Sequence, residues 1–410
     1  MTTQALQIAV TGIGALAANG HSPREIWDNC LAGVSGITRF RDVRCAGREV
    51  DFGGEITDFD LEPYVAQRYW RMFDLSQLYA AAAAKMAYDD AAAADDYDPA
   101  RIGVVIGTGV GPLRTHDTSS RALDRGGPES VSSHCAPAST VSLAASLPAM
   151  VLGIRGPTFG VSGACATAAY NLISAAHLLT AGDADFVLAG SVDAMAIRLG
   201  MMAFANMRGL AQHSDPSRAS RPLDRDRNGL VLAEGAAVLA LERFESAAGR
   251  NARIYGVLCG YGMSGDAGNV VAASADGIAR ACRAALARSS LTAEEIDHVN
   301  LHAAGTKQGD LAEAKALHSV FGKRASEIPV TAPKSMLGHA MGAAAGLETI
   351  LLLNTLETGT IPPTINLENQ DSAIDLNAST QSVQRSIRTG LKTSLGLGGL
   401  NAALVFQRPS

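Results

Sequence analysis

Val161-Ser-Gly-Ala-Cys-Ala-Thr-Ala-Ala-Tyr170 leads from a turn of small residues into an alanine-rich stretch. Beyond it, Leu172, Ile173, Ala176 and Leu179 recur at helical spacing and define one apolar face. Far downstream, Lys334-Ser-Met-Leu-Gly-His-Ala-Met-Gly-Ala-Ala-Ala-Gly346 repeats the pattern, and Leu347, Ile350 and Leu351 continue its face. Cys165 and His339 are therefore each expected to open an alanine-rich helix after a small-residue turn. The chain reads as an internal duplication with its junction between Arg243 and Arg253, at a spacing too long for a solenoid. This divides it into residues 1–250, carrying the cysteine, and residues 251–410, carrying the histidines.

Working outward, Ile8-Ala-Val-Thr-Gly12, Arg101-Ile-Gly-Val-Val-Ile-Gly107, Ala184-Asp-Phe-Val-Leu-Ala-Gly190 and Ile296-Asp-His-Val-Asn-Leu301 read as strands. Leu75 to Ala94 reads as a helix. Strands alternating with helices imply an α/β protein with a buried, mostly parallel sheet. The 410 residues are 47% hydrophobic and 18% charged, enough apolar material for two cores or one large duplicated unit. A net charge of -6 argues against nucleic acid as a partner. Met1-Thr-Thr-Gln-Ala runs into the first strand without a basic leader. Charges such as Lys85 break the longest apolar runs, so no membrane span is expected and the cytoplasm is the expected location. Cys30, Cys45, Cys135, Cys165, Cys259 and Cys282 form no C-x-x-C pair, which fits reduced thiols and no metal site.

The chemistry centres on Cys165. A free cysteine is often only a small core residue. At a helix start, however, backbone N–H groups and the helix dipole favour the thiolate. Two histidines can accompany it: His302, in Val299-Asn-Leu-His-Ala-Ala-Gly-Thr306, and His339. At a helix N-terminus His339 is biased towards neutrality, and Lys334 nearby suppresses its protonation further. His298 has no assigned role. Ser394-Leu-Gly-Leu-Gly-Gly-Leu-Asn401 is either a plain turn between strands or a source of backbone N–H for an oxyanion. Thr11-Gly-Ile-Gly-Ala-Leu-Ala17 is half of a dinucleotide fingerprint but lacks the third glycine and the acidic residue downstream. Arg218 to Arg227 is interleaved with Asp224 and Asp226, as in a solvated or internally paired loop.

Taken in order, Arg71 to Asp74, Gly163 to Thr167, Gly182 to Asp185, Ser220-Arg-Pro222, Val299 to His302, Lys334-Ser-Met336, Gly338-His339, Ile361 to Asn366 and Gly396 to Asn401 match one family. From Ile8 to Phe406 the chain resembles the β-ketoacyl-[acyl carrier protein] synthases of the type I/II kind. The resemblance implies the thiolase fold, a duplicated five-layered α-β-α-β-α sandwich, and a dimer. It implies that Cys165 carries the acyl chain as a thioester. His302 and His339 then bind the malonyl thioester oxygen as carbon dioxide leaves. Lys334 pairs with Glu348 in support, and the N–H groups of Cys165 and Leu397, between Gly396 and Gly398, form the oxyanion hole. Thr306, Val110, Asp266 and Leu395 become substrate-binding residues. Acyl carrier protein becomes the partner, delivering substrates on its phosphopantetheine arm without a resident cofactor.

Departures from the family pattern narrow the expectation. Ala304 replaces one of two threonines that touch the arm, leaving Thr306. Leu397 stands where a phenylalanine gate is usual. Glu129 and Ser130 replace a basic pair that helps dock the carrier, leaving Arg68, Arg71 and Arg208 as docking cations. Fatty-acid elongation and a specialised polyketide or polyene pathway, with a homodimer or with a chain-length-factor partner, are both open. A non-catalytic chain-length subunit would lack Cys165. A thiolase would need a second cysteine near the C-terminal glycines. An initiating synthase would carry asparagine where Gly338-His339 stands.

Overall fold

The structure, a computed structural model, describes residues 6–41, 50–93 and 96–409. Met1 to Ala5, Cys45 and Ala94 lie outside the described residues. Eleven strands form one hydrogen-bonded ladder. In the first half these are β1 (Ile8–Ala17), β2 (Ile102–Gly107), β3 (Thr158–Phe159), β4 (Phe186–Asp193) and β5 (Gly235–Arg243). The second half supplies β6 (Gly256–Gly265), β7 (His298–Asn300), β8 (Pro329–Thr331), β9 (Asn377–Ala378), β10 (Thr389–Gly396) and β11 (Leu400–Gln407).

The duplication is visible in their order. The first half runs β1-β5-β4-β2-β3 and the second β6-β11-β10-β7-β8, with β9 added at the edge. In both, the first two pairings are antiparallel and the next two parallel. The sheet is thus mixed rather than mostly parallel, because the last strand of each half returns between the first strand and the one that immediately precedes it. The halves meet where β1 pairs antiparallel with β6, at Ile8↔Leu258 and Val10↔Gly256.

Three helical layers enclose this ladder, and each has its own apolar core. One outer layer contains α1 (Leu75–Ala91) and α2 (Leu143–Leu152), packed on the first half. The central layer contains α3 (Thr167–Ala181) and α6 (Ala344–Thr358), whose residues cluster with strand residues of both halves. The other outer layer contains α4 (Ala275–Ser289) and α5 (Lys307–Phe321), packed on the second half. Helix, sheet, helix, sheet, helix is the five-layered sandwich of the thiolase fold. The central helices are buried on most of their circumference, as a helix between two sheets must be. In α6 every residue from Ala344 to Leu356 is buried.

The glycines of Thr11-Gly-Ile-Gly-Ala-Leu-Ala17 serve packing. A Cβ on Gly14 would lie 2.0 Å from the Ala83 carbonyl of α1, and one on Gly12 would lie 2.2 Å from that of Ala87. The second half repeats the device. A Cβ on Gly262 would lie 2.0 Å from the Ala281 carbonyl of α4, and one on Gly260 would lie 2.3 Å from that of Ala285. Glycine on the strand and alanine on the helix let the two backbones approach closely. The α1 start is fixed by Asp74, whose carboxylate accepts from Ser76 N at 2.9 Å within a capping box with Gln77. No helix among the described residues is long and apolar enough to cross a membrane.

Candidate active site

Cys165 lies in the one-turn segment Ala164–Ala166 that leads directly into α3. Ala164 has φ of 50°, a left-handed conformation that residues with a Cβ rarely adopt. Gly163 N donates to Thr167 Oγ1 at 2.9 Å, and that hydroxyl donates back to Ala164 O at 2.6 Å. In the second half the segment Met341–Ala343 leads into α6, and Met341 has φ of 47°. The counterpart of Cys165 is therefore Gly342. His339 does not open the helix: it bridges to residues 231–233, donating to Val231 O at 2.7 Å and accepting from Ala233 N at 3.0 Å. Gly342 N donates at 2.7 Å to the buried Asp193 carboxylate at the end of β4. Asp193 also accepts from Thr108 Oγ1 at 2.6 Å, Gly109 N at 3.0 Å and Val110 N at 3.2 Å. One carboxylate thus ties the two halves together behind the cysteine.

A cavity of about 160 Å³ brings Cys165, His302, His339 and the β10–β11 turn together. Leu395, Gly396, Leu397, Ala304, Thr306 and Asp266 line it as well. Val110 does not: it is 42% exposed on the loop after β2. Gly398 closes the turn, donating to Val270 O at 2.8 Å. Asp266 is engaged in structure, accepting from Asn401 Nδ2 at 2.7 Å and Ser274 N at 3.0 Å. Thr306 Oγ1 accepts from Gly309 N at 3.2 Å as the N-cap of α5, which leaves its hydroxyl proton free to donate.

The two imidazoles cross edge to face, with centroids 5.3 Å apart. Met341 N donates to His339 Nδ1 at 3.1 Å. The Lys334 ammonium lies 3.4 Å from His302 Nδ1 and also donates to His302 O. With Nδ1 accepting in each ring, Nε2 carries the proton, so both rings are N–H donors. Both imidazoles are held well below the ordinary histidine range, first by burial and then by the Lys334 charge. Burial, rather than a helix terminus, is the main reason they are neutral. His302 N and Ala303 N each donate to Glu313 at 2.8 Å, which fixes the loop after β7.

The thiol behaves differently from the sequence expectation. Burial pushes Cys165 up to about 11, and the Asp193 charge acts in the same direction. The Lys334 charge and the N–H groups of Leu397 and of Cys165 itself oppose this without reversing it. The resting sulfur therefore holds its proton at neutral pH.

Behind the histidines, Lys334 pairs with Glu348, and both are buried. A second buried lysine, Lys392 of β10, sits 2.8 Å from the other Glu348 oxygen. Sequence reasoning missed Lys392, Glu313 and Asp193. Lys392 alone left a signal, a charge in the middle of the strand run Leu391 to Leu395.

The remaining candidates lie elsewhere. Arg68 stands 4.8 Å over the Tyr69 ring. Arg71 is exposed, and exposed Arg208 follows Met207, which lines the cavity. Glu129 is exposed, while the Ser130 hydroxyl donates to Ala122 O at 2.6 Å. Arg227 is buried against Asp371 at 2.7 Å and Asp310 at 3.5 Å, so the arginine run is internally paired. His298 is a core histidine, its Nδ1 2.9 Å from Pro329 O. Cys30, Cys135, Cys165, Cys259 and Cys282 are free thiols.

Comparison with known proteins fits this geometry. The family models "Beta-ketoacyl synthase, N-terminal domain" and "Beta-ketoacyl synthase, C-terminal domain" match residues 5–247 and 255–368. A 3-oxoacyl-[acyl-carrier-protein] synthase 2 of Vibrio cholerae is 36% identical over 98% of this chain and 99% of its own. The chloroplastic 3-oxoacyl-[acyl-carrier-protein] synthase II of Arabidopsis thaliana is 34% identical over 98% of this chain and 76% of its own. Among solved structures, the ishigamide ketosynthase/chain length factor superposes with a TM-score of 0.93 at 30% identity, over 99% of this chain and 100% of that one. A type II PKS acyl-carrier protein in complex with its ketosynthase gives a TM-score of 0.92 at 28% identity, over 99% of this chain and 100% of that one.

Proposed function

The chain belongs to the β-ketoacyl synthase family, and from that premise we propose that Cys165, His302 and His339 carry its decarboxylative condensation. The enzyme is an acyltransferase that extends an acyl chain with a malonyl unit. The observation that supports this assignment is the convergence of one thiol, two neutral N–H donors and a glycine turn on one cavity.

The chemistry follows from the geometry. Cys165 Sγ attacks the carbonyl of the incoming acyl thioester. Its proton passes to the departing phosphopantetheine thiolate, and an acyl-cysteine remains. The Cys165 and Leu397 N–H groups face the sulfur and would hold the oxyanion at that carbon. Malonyl thioester then enters with its carbonyl oxygen against the Nε2–H of His302 and His339. As the carbon–carboxylate bond breaks, carbon dioxide leaves and the electron pair becomes an enolate that both imidazoles stabilise. The enolate carbon attacks the acyl carbonyl and expels Cys165 thiolate, which takes a proton from solvent. A thiol whose proton is held up to about 11 readily recovers it. Lys334 and Glu348 hold His302 in place and touch no substrate.

Acyl carrier protein is the expected partner, bringing its substrates on the phosphopantetheine arm with no resident cofactor, in the cytoplasm. Arg68, Arg71 and Arg208 are the proposed docking cations. Division at residue 250 is supported by the repeated strand order. The likeness to the ishigamide ketosynthase/chain length factor, with Leu397 and Ala304 in the cavity, favours a specialised polyketide or polyene chain and a chain-length partner over a homodimer. Retention of Cys165 argues against a non-catalytic subunit.

One assay tests the roles. The purified protein is incubated with acyl-carrier and malonyl-carrier, and intact mass and product are followed. Cys165→Ala should lose both self-acylation and extension. His302→Ala and His339→Ala should keep acylation but lose extension, each lacking a donor worth about 2.7–4 kcal/mol. Full extension by either histidine variant would sink the two-donor mechanism.

A further inference from the structure

Lys392 sits at the centre of a strand whose two faces are both covered. Gly390 and Lys392 point towards α6, where a Cβ on Gly390 would lie 2.5 Å from Leu352 Cδ1 and where Lys392 meets Glu348. Leu391 and Leu395 point the other way into the outer core, and Thr393 donates to Glu313 of α5. The lysine is fully buried. Glu348 already has a buried lysine partner, Lys334. A second ammonium is therefore not needed to neutralise the carboxylate, and an apolar residue here would suit the fold better, since burying an ion is costly. A costly residue kept beside a reactive site points to function.

We propose that Lys392 is a positioning residue of the condensation site. Its ammonium forms an ion pair with the second oxygen of Glu348, so that Lys392, the carboxylate, Lys334 and the His302 ring form one relay, and it adds a second positive charge beside both imidazoles. This rests on the condensation reading given above.

Lys334 and Lys392 bring two amino groups against the one Glu348 carboxylate; burial holds Lys392 below the ordinary lysine range, and the Glu348 charge opposes that. Glu313, from α5, is turned to the His302 and Ala303 N–H groups and to Thr393. Asp310 of α5 is engaged with Arg227 and with Leu223 N. Asp193 is held by Thr108 and three backbone N–H groups on the far side of Cys165. The Lys392 charge acts on both imidazoles in the same sense as Lys334, against their protonation. Protonation would place a hydrogen on Nδ1, where Met341 N–H and the Lys334 ammonium now donate, and both rings would lose their orientation. The same positive charge favours the enolate as it forms.

The test compares Lys392→Gln and Lys392→Met with Lys392→Arg across pH 5 to 8.5. Gln keeps a hydrogen-bond donor for Glu348 without charge, so it covers the case in which Met does not fold. Self-acylation of Cys165 by mass should stay within about threefold of the parent for every folded variant. Extension by the neutral variants should fall more at pH 5.5 than at pH 8, because His302 and His339 lose one of the charges that oppose their protonation. Arg should restore the parent's acid limb. A neutral variant whose rate stays parallel to the parent at every pH, whether lowered or not, overturns the proposal. So does an Arg variant that behaves like Gln. If the unmodified protein self-acylates but never extends a chain, the condensation reading itself has failed, a result distinct from either of these.

Discussion

Three histidines of the second half lose access to protons because they are buried, and only two of them face the cavity. His298 is held down to about 4 by burial, with its hydrogen bond to Pro329 O opposing. His302 and His339 are held well below the ordinary value as well. In the unfolded chain each would titrate near 6.5. Below that pH the unfolded state binds protons that the folded state refuses, so stability is full above pH 6.5 and declines as pH falls. Each such histidine adds a slope of about 1.4 kcal/mol per pH unit, for His298 down to about pH 4. Urea unfolding at pH 7.5, 6 and 5 should show this decline, and His298→Gln should make it shallower. A midpoint independent of pH across this window would contradict the burial argument.

At the scale of elements, the strand–helix contact built from Gly12 and Gly14 on α1 recurs with Gly260 and Gly262 on α4. A methyl group at Gly14 would run into the backbone of Ala83 and Ala87, and one at Gly262 into that of Ala281 and Ala285. Neither helix can yield without leaving its sheet. Gly14→Ala and Gly262→Ala should each lower stability by about 1–3 kcal/mol in urea unfolding. Gly249→Ala is the control, since its Cβ would meet nothing within 4 Å, and it should change stability by less than about 0.5 kcal/mol. Equal midpoints for all three would mean that the sequence glycines do not set the helix–sheet distance.

For the whole molecule, the net charge of -6 is the wrong sign for attracting an acidic carrier, so the proposed docking rests on local cations. Exposed Arg68, Arg71 and Arg208 are available, and exposed Glu129 opposes them. The double change Glu129→Arg and Ser130→Lys should tighten association with a generic fatty-acid carrier at low salt, and the gain should shrink as salt rises. Fluorescence anisotropy of a labelled carrier at two ionic strengths reads this directly. Unchanged affinity at both would place residues 129 and 130 away from the carrier, leaving Ala304 and Leu397 as the grounds for a specialised pathway.

Much of this protein is determined by its sequence alone. The small-residue turns before two alanine-rich helices announce a duplication, because turn chemistry and helical periodicity are local. Cys165, His302 and His339 are legible because their residue types and neighbours specify a chemistry. Other features depend on what the folded chain packs around a residue. The sheet is mixed because the strands at the end of each half insert between earlier ones, which no local pattern encodes. Gly342, not His339, proves to be the partner of Cys165, because only the shared left-handed residue before it, Ala164 or Met341, marks the equivalence. Val110 falls outside the cavity and the thiol is pushed up rather than down, since burial outweighs a helix start. Lys392 gains its partner only when β10 is laid against α6, placing residues 348 and 392, 44 positions apart, within 2.8 Å.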